Sequence, residues 1–378
     1  MAKKNVCIIR SNPVNPDSRV EKEAKSLKKK GYNVQILAWD REANYTAKKE
    51  FLDVNDFQIP ITRIGFKASY GDGMKNIIPY MKFQISMRKW LKKNSDCLDI
   101  IHACDFDTAF FSIGIAKRKD KRFIFDIFDF LSSKPENLIQ KIIHFIQIQI
   151  INHSDGTIIC TEDRLKQIKG SKPKRIAIVH NSPENRIDIN VKKGVKEKIT
   201  IVYVGILQDY RLLKEITEVI ANKTNVRFMV AGFGKLEEFF RENSEKYENI
   251  HFLGKISYKD TIALEAKADI MLAVYDPEID NHIYAAPNKF YEALMLGKPV
   301  IMVKNTGMSS FVKTENIGEL IEYSKEGFEE GLDLLIKRKE EWEEMSNRMK
   351  CLYEKKFSWS IMEQRLYQFY DSIIEDRV

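Results

Sequence analysis

The 378-residue chain has few cysteines, and none of them stands in a Cys-x-x-Cys pair. The five are scattered and odd in number: Cys7, Cys97, Cys104, Cys160 and Cys351. This pattern excludes a sequence-encoded disulfide framework and favours reduced thiols in a cytosolic protein.

Long apolar runs are also lacking. No stretch reaches the roughly 18 apolar residues that a membrane-spanning helix needs. The first residues, Met-Ala-Lys-Lys-Asn, lead directly into a predicted strand, so we expect no signal peptide. There is no internal repeat and no low-complexity segment.

The composition is that of a globular protein, with 44% hydrophobic and 31% charged residues, and the length suits two domains. The net charge of +8 favours an anionic partner, such as a nucleotide, a membrane surface or a nucleic acid. Because no RNA-binding aromatic motif and no zinc finger accompany the basic residues, we expect no nucleic-acid partner.

The first 40 residues predict a strand–helix–strand unit. An apolar strand over Asn5–Arg10 is followed by a turn-rich loop, a helix over Arg19–Lys30 and a strand over Tyr32–Trp39. Such a unit implies a parallel sheet whose loops gather at the carboxyl ends of the strands. The loop lacks Gly-x-Gly-x-x-Gly, which argues against an NAD enzyme.

Polar residues follow two later strands of this half. His102 and Asp105 end a strand that begins at Asp99, and Asp126 and Asp129 end the next one. Ligands bind at such strand ends in open parallel sheets. The alternatives are a satisfied core histidine and carboxylates that cap loops.

Two helices of the first half are apolar and basic. One is predicted over Met74–Lys93, with mostly basic polar positions, and an isoleucine-rich one over Pro135–Asn152. A basic amphipathic helix can lie on an anionic membrane. The alternative is a core-packing helix with solvated lysines.

The segment Ala285–Ile301 predicts a short helix that is entered through Pro287, capped by Gly297 and followed by a strand. Lys289 and Glu292 share one face of this helix. A base, a carboxylate and a helix amino terminus suit a phosphorylated, hydroxyl-rich ligand. The alternative is a surface ion pair on a packing helix.

The same segment resembles the carboxyl-domain signature of retaining glycosyltransferases with the GT-B fold (family 4, glycosyltransferase group 1). The matching residues are Pro287-Asn-Lys289, Glu292 and Gly297-Lys-Pro-Val300, and the resemblance extends over nearly the whole chain. It implies an α/β fold of two Rossmann-like domains facing across a cleft.

The resemblance also implies a division of the chain. Residues 1–184 would form an acceptor-binding domain, residues 199–355 a nucleotide-sugar-binding domain, and residues 356–378 a helix that crosses back to the first domain. A polar, lysine-rich linker, Glu184–Lys198, would join the two domains.

Donor-site roles follow from the resemblance. Arg211 and Lys289 would hold the diphosphate, Glu292 the ribose, and the segment around Lys255 the nucleobase. The residues implied in donor binding are Gly205, Arg211, Gly232, Lys255, Ile256, Ala286, Asn288, Lys289 and Glu292.

Acceptor-side roles follow in the same way. His102 would contact the transferred sugar, Asp105 and Asp126 would take part in catalysis, and Asn12 and Arg19 would lie over the phosphates or the acceptor. For Arg19 the alternative is a pair with Glu23 on the same helix.

The chain departs from the family pattern at several positions. Ile206 stands where an arginine usually clamps the diphosphate, and Tyr284 stands where the family often has a first glutamate. Cys104 replaces a histidine. Because Ile206 replaces one of the two cations that bind the diphosphate, we expect Lys289 to compensate for the lost positive charge.

We therefore expect transfer of a sugar from a nucleotide-sugar to a glycan or lipid-linked acceptor, with retention, in bacterial-type surface polysaccharide or glycoconjugate synthesis. No Asp-x-Asp motif stands in a GT-A arrangement, so no metal cofactor is expected. The expected location is the cytoplasm, at the inner face of the membrane. The alternatives are a non-catalytic GT-B partner subunit, which Ile206 and Tyr284 favour, and a nucleotide-sugar epimerase.

Overall fold

A computed structural model describes residues 3–54, 56–68, 76–131, 134–184 and 198–375. The chain forms two compact units, Met1–Val179 with Met362–Val378, and His180–Ile361. Each unit contains one mainly parallel sheet whose strands are connected by helices, so the predicted α/β fold with two Rossmann-like domains is confirmed. The predicted linker lies almost entirely outside the described residues.

The first unit holds an eight-stranded sheet in the order β3-β4-β2-β1-β5-β6-β7-β8. Among the strands that the structure describes, only β3 and β4 pair antiparallel. The chain leaves β1 toward β2 on one side and later returns to β5 on the other, which makes the switch point where ligands bind in such sheets. The strands are β1 (Asn5–Arg10), β2 (Asn33–Asp40), β3 (Tyr45–Val54), β4 (Phe57–Gly65), β5 (Ile100–Cys104), β6 (Arg122–Ile127), β7 (Gly156–Ile159) and β8 (Ile176–Ile178).

Helices connect these strands. The helices are α1 (Ser18–Lys30), α2 (Ile77–Asn94), α3 (Asp105–Arg118), α4 (Leu138–His153) and α5 (Arg164–Gln167). The central strands are apolar along their length because both faces are covered. Phe83 and Met87 of α2, Ala109 of α3 and Ile151 of α4 are fully buried in one core with β5 and β6.

The second unit holds a parallel six-stranded sheet in the order β11-β10-β9-β12-β13-β14. Its strands are β9 (Ile199–Ile206), β10 (Val226–Phe233), β11 (Ile250–Phe252), β12 (Ile270–Ala273), β13 (Val300–Val303) and β14 (Gly318–Ile321). Its helices are α6 (Leu213–Ala221), α7 (Glu237–Lys246), α8 (Tyr258–Lys267), α9 (Asp280–Ile283), α10 (Asn288–Leu296), α11 (Ser309–Thr314), α12 (Lys325–Lys337) and α13 (Trp342–Leu352).

The last helix, α14 (Trp359–Glu375), belongs to the first unit from Met362 onward. It covers Gly156 of β7 so closely that a Cβ there would lie 2.4 Å from the ring of Phe369. The Tyr367 hydroxyl donates a hydrogen bond to the Ser26 carbonyl at 2.9 Å. Helix α14 therefore completes the packing of the first unit beside α1 and β7.

Helix α10 forms as its sequence predicts. Pro287 lies one position before the helix, at the N-cap, with φ −65°. Phe290 and Leu294 are fully buried, and Gly297 ends the helix with φ +64°. That left-handed conformation lets the Gly297 N–H donate to the Leu294 carbonyl at 3.2 Å.

One element was not expected from the sequence: the strand β3, which forms a hairpin with β4. Among the described residues, no helix is both long and apolar enough to cross a bilayer.

Candidate functional site

Two glycines leave bare backbone at the carboxyl edge of the second sheet. Gly205 of β9 lies beside Gly232 of β10, with φ +152° and +143°. A Cβ on Gly232 would lie 1.8 Å from the Gly205 carbonyl oxygen, and one on Gly205 would lie 2.7 Å from Lys289 Nζ. Only glycine fits at Gly232, and the space beside Gly205 faces an ammonium group.

Two cations are held against tyrosine rings at this edge. Lys289 Nζ lies 4.6 Å from the ring centre of Tyr203, and Arg211 Cζ lies 3.8 Å from that of Tyr275. Burial raises the pKa of Tyr203, and the positive charges of Lys289 and Arg211 both oppose this rise, so the two cations lie near the same ring. Such stacking fixes a cation in place and leaves its hydrogen-bond donors for another partner.

Arg211 has donors without partners. Its Nε and Nη1 atoms are buried, and no described residue accepts a hydrogen bond from them. Buried polar groups are nearly always satisfied, so these two donors indicate a binding site for an anion. Phosphate oxygens match this geometry because a guanidinium can bind them with two parallel hydrogen bonds.

Glu292 is buried, with 4% of its surface exposed. This burial excludes the alternative of a surface ion pair. Glu265 of α8 is 1% exposed, and burial together with the Glu292 charge raises its pKa well above the usual value. Tyr258 hydrogen-bonds to Glu292. Sequence reasoning missed Glu265, although a carboxylate between the buried Ile262 and Ala266 was a signal.

The other predicted donor residues lie around the same edge. The Ala286 carbonyl accepts a hydrogen bond from Asn181 Nδ2 at 2.9 Å, and Asn288 is exposed at the first position of α10. Lys255 and Ile256 follow β11, and Lys255 Nζ lies 5.2 Å from the ring centre of Phe233. These contacts do not test the predicted roles, which stay predictions.

His102 lies inside the first unit rather than at its surface. The side chain is fully buried, with Nδ1 2.7 Å from the Tyr370 hydroxyl and Nε2 3.4 Å from Asp126 Oδ2. Arg19 pairs with Asp126 at 2.7 Å and with Glu23 at 3.1 Å. These contacts match the alternatives of a satisfied core histidine and of an Arg19–Glu23 pair; the catalytic and acceptor roles stay predictions.

The charges in this buried network are unequal. Burial raises the pKa of Glu23 well above its usual value, and the negative charge of Asp126 adds to the effect. Burial alone would also raise the pKa of Asp126, but Arg19 and His102 hold it below its usual value. The network therefore favours the charged form of Asp126, whereas burial disfavours the charged form of Glu23.

Three potential metal ligands meet in this network. One ligand atom each from His102, Cys104 and Asp126 lies within 4.8 Å of the others. They fit a metal ion poorly, because Arg19 already holds Asp126 and burial raises the pKa of the Cys104 thiol well above its usual value.

A cavity of about 350 Å³ opens where β1, β5 and β6 end. Asp105 has φ +65°, forms an ion pair with Arg10, and accepts hydrogen bonds from the Phe128 and Asp129 N–H groups at 2.9 and 3.0 Å. Burial raises its pKa to about 6. The lining residues are Arg10, Ser11, Asn12, Arg41, Asp105, Phe106, Asp107, Asp129 and Leu131.

Asn12 shapes the loop at this cavity. Its Nδ2 donates to Asp17 Oδ2 at 2.8 Å, and its Oδ1 accepts from the Val14 N–H at 2.8 Å. Sequence reasoning missed Asp107 and Arg41. For Asp107 the signal was its Asp-x-Asp spacing from Asp105 at the end of a strand.

The comparisons with known proteins concern both units. Residues 185–351 match the family described as glycosyl transferases group 1. Sucrose-phosphate synthase from Thermosynechococcus elongatus superposes with a TM-score of 0.73 at 14% identity, over 99% of this chain and 100% of that chain. No match was found among curated proteins.

Two further solved structures are similar. Anabaena HepE in complex with UDP and glucose has a TM-score of 0.72 at 12% identity, over 98% of this chain and 100% of that chain. A candidate UDP-N-acetylglucosamine 2-epimerase from Listeria monocytogenes has a TM-score of 0.60 at 14% identity, over 92% and 91% of the two chains. At these identities the likeness shows the fold.

The group 1 match covers the segment Pro287–Val300 on which the resemblance was based. The predictions of a group 1 glycosyltransferase segment and of a transferase are therefore confirmed: residues 185–351 carry a glycosyl transferases group 1 domain.

Proposed function

We propose that this glycosyltransferase moves a sugar, with retention, from a nucleoside-diphosphate sugar to a glycan or lipid-linked acceptor. The setting is bacterial-type surface polysaccharide or glycoconjugate synthesis on the cytoplasmic side. The observation that carries the proposal is the Arg211 guanidinium, whose buried Nε and Nη1 have no partner among the described residues. Its charge acts on Lys289, which lies beside Gly205.

The donor diphosphate binds between Arg211 and Lys289. Both cations are positioned by tyrosine rings before any ligand arrives, so little ordering entropy is lost on binding. Glu292 accepts hydrogen bonds from the ribose hydroxyls. HepE was solved with UDP and glucose, and this supports a nucleoside diphosphate as the ligand class.

The same two cations stabilise the leaving group. As the sugar–phosphate bond breaks, negative charge grows on the diphosphate, and fixed positive charge lowers the energy of that transition state. We assign no enzyme carboxylate as nucleophile. The departing phosphate takes the acceptor proton on the same face, which accounts for retention, and Arg211 and Lys289 replace a metal ion.

The acceptor sugar binds in the cavity of the first unit. Carboxylates accept hydrogen bonds from vicinal hydroxyls, and Asp105, Asp107 and Asp129 line this cavity. Phe106 offers an apolar surface to a sugar ring. A cavity of about 350 Å³ lies within the size range of small-molecule sites.

A nucleotide-sugar epimerase is the second candidate. Such enzymes use paired carboxylates, and Glu265 and Glu292 form a buried pair that the sequence did not reveal. Incubation with UDP-N-acetylglucosamine distinguishes the two, because an epimerase changes the sugar without any acceptor.

Thermal unfolding with UDP, GDP, ADP, CMP and dTDP, and with NAD as control, tests the donor site. A ligand at about 100 times its Kd stabilises the protein by roughly 2.7 kcal/mol. We expect a shift with one diphosphate and none with NAD. No shift with any diphosphate would contradict the proposal and favour a non-catalytic subunit.

A further inference from the structure

Strand β3 is the longest edge strand of the two described sheets, with 10 residues. The other three edge strands, β8, β11 and β14, have 3, 3 and 4 residues. Helix α14 also covers part of β8, since Arg365 Nη1 donates to the Ile178 carbonyl at 3.0 Å. Among the described strands β3 pairs only with β4, so its outer side is a template on which a further strand can pair.

The backbone groups of alternate β3 residues point away from the sheet. Phe51 lies opposite Pro60, which has no N–H, so these two residues cannot exchange the pair of hydrogen bonds of a bonded antiparallel pair. Just beyond β4, the Phe66 N–H donates to β2 at 3.1 Å, so the even-numbered positions of β4 face β2. The N–H and C=O groups of Lys49, Phe51 and Asp53 therefore point outward.

The side chains at these three positions share one exposed face of β3, because they alternate along the strand. Phe51 is 64% exposed, and Lys49 and Asp53 are exposed on either side of it. Neither charge forms an ion pair among the described residues, whereas Glu50, on the other face, pairs with Arg63. An aromatic ring between two unpaired opposite charges is complementary to its own copy in the reverse direction.

We propose that two copies of the chain associate through β3, antiparallel about a two-fold axis at Phe51. In this register Phe51 lies opposite Phe51 of the second copy, and Lys49 of each copy lies opposite Asp53 of the other. Each of these pairs exchanges both of its backbone hydrogen bonds, and the two first-unit sheets become one continuous sheet. The association is independent of the proposed function, since none of the candidate donor or acceptor residues lies on β3.

Charge selects this register among the possible ones. A shift by two residues places Lys49 or Asp53 opposite Phe51, and a shift by four places Lys49 opposite Lys49 or Asp53 opposite Asp53. Like charges directly opposite each other are destabilising, so the register centred on Phe51 is favoured. The alternative is an edge whose lysines prevent association. The spacing of Asp53 from Lys49 argues against this, because it turns repulsion into attraction.

Sedimentation velocity of the full-length protein from about 1 to about 100 μM tests the association, since strand addition makes a small interface that binds weakly. We expect a dimer whose fraction rises with concentration over this range. Phe51→Ser should raise the dimer Kd at least tenfold. Phe145→Ser is the matched control and should leave the Kd unchanged, because Phe145 is 61% exposed on α4, away from β3.

An exchange of charges tests the register. Lys49→Asp or Asp53→Lys alone places like charges opposite each other in both symmetry-related pairs, so each should raise the dimer Kd at least tenfold. The double variant Lys49→Asp/Asp53→Lys restores the opposite charges and should return the Kd to within about threefold of the unaltered value. The two positions lie about 13 Å apart along one strand, so the rescue cannot arise within one chain.

Three results would overturn the proposal: a monomer throughout the concentration range, a dimer that Phe51→Ser does not weaken, or a double charge variant that associates as weakly as the single variants. Circular dichroism of each variant checks that its fold is retained. Recovery of the dimer in the double variant would support the proposal independently of Phe51→Ser, because a folding defect in the single variants would not be reversed by exchanging two exposed charges.

Discussion

Replacing Arg211 by alanine separates binding from stability. The variant removes two donors, Nε and Nη1, that have no partner among the described residues. If these donors bind the diphosphate, each charge-assisted hydrogen bond contributes about 1.5–3 kcal/mol. Two such bonds predict a loss of at least about 3 kcal/mol, which is more than 100-fold in Kd.

The same change should hardly affect the ligand-free protein. Loss of the stacking of Arg211 on Tyr275 costs about 0.5–2 kcal/mol. Removing buried donors that lack partners offsets this by about 1–3 kcal/mol. We therefore expect the free energy of unfolding without nucleotide to change by less than about 1 kcal/mol.

Thermal unfolding and calorimetric titration with the preferred diphosphate measure both quantities. At a concentration that stabilises the unaltered protein by roughly 2.7 kcal/mol, a 100-fold weaker variant gains only about 0.4 kcal/mol. Arg241→Ala is the control, since Arg241 is exposed on α7 and its only ion pair among the described residues is with Glu238, at 3.4 Å. Equal nucleotide affinity in Arg211→Ala and Arg241→Ala would refute the reasoning.

Three further predictions concern residues at the carboxyl edges of the two sheets. Gly232→Ala should lower the free energy of unfolding by at least about 3 kcal/mol in urea denaturation, because its Cβ would overlap the neighbouring backbone; Gly254→Ala, with positive φ but open space, should cost about 1–2 kcal/mol. Ile206→Arg, at a half-exposed strand end, should tighten diphosphate binding about tenfold by titration calorimetry, since it adds a charge-assisted hydrogen bond. The transfer rate should fall below pH 6 as Asp105, with a pKa of about 6, becomes protonated, and Asp105→Asn should remove this limb of the pH–rate profile.

The sign of the Asp105 effect provides a control within the pH experiment. Because the pKa of Asp105 is raised in the folded protein, its contribution to stability is fully present below the unfolded pKa near 4 and is lost as the pH rises through about 6. Rate and stability therefore move in opposite directions between pH 4 and 6. A rate that falls together with the folded fraction would point to unfolding instead.

Local signals explain what the sequence predicted well. Helix α10 has its proline, its apolar spacing and its capping glycine between Pro287 and Gly297, so its limits could be predicted almost to the residue. Strand β3 could not, because Tyr45–Val54 is largely polar and exposed at a sheet edge. A strand without a buried face has no alternation to reveal it.

Some residues of the candidate site could likewise be predicted from the sequence, whereas their contacts could not. Arg211 was predicted from the resemblance to the family, because it matches the position of a cation six residues after Gly205. That its Nε and Nη1 have no partner among the described residues is seen only in the coordinates. The partners of His102 are set by the fold, since Tyr370 lies 268 residues later in the chain. No spacing rule connects such positions, so the closed network around His102 could not be predicted.

The return of α14 to the first unit has a consequence for biosynthesis. Tyr370 hydrogen-bonds to His102, and Phe369 covers Gly156, so the part of the first unit that α14 covers stays open until α14 has been synthesised. The second unit, complete by Ile361, can fold earlier even though it is translated later than most of the first. A nascent chain that stalls before α14 would thus expose this part of the first unit to chaperones and proteases, so the folding of the first unit depends on the synthesis of α14.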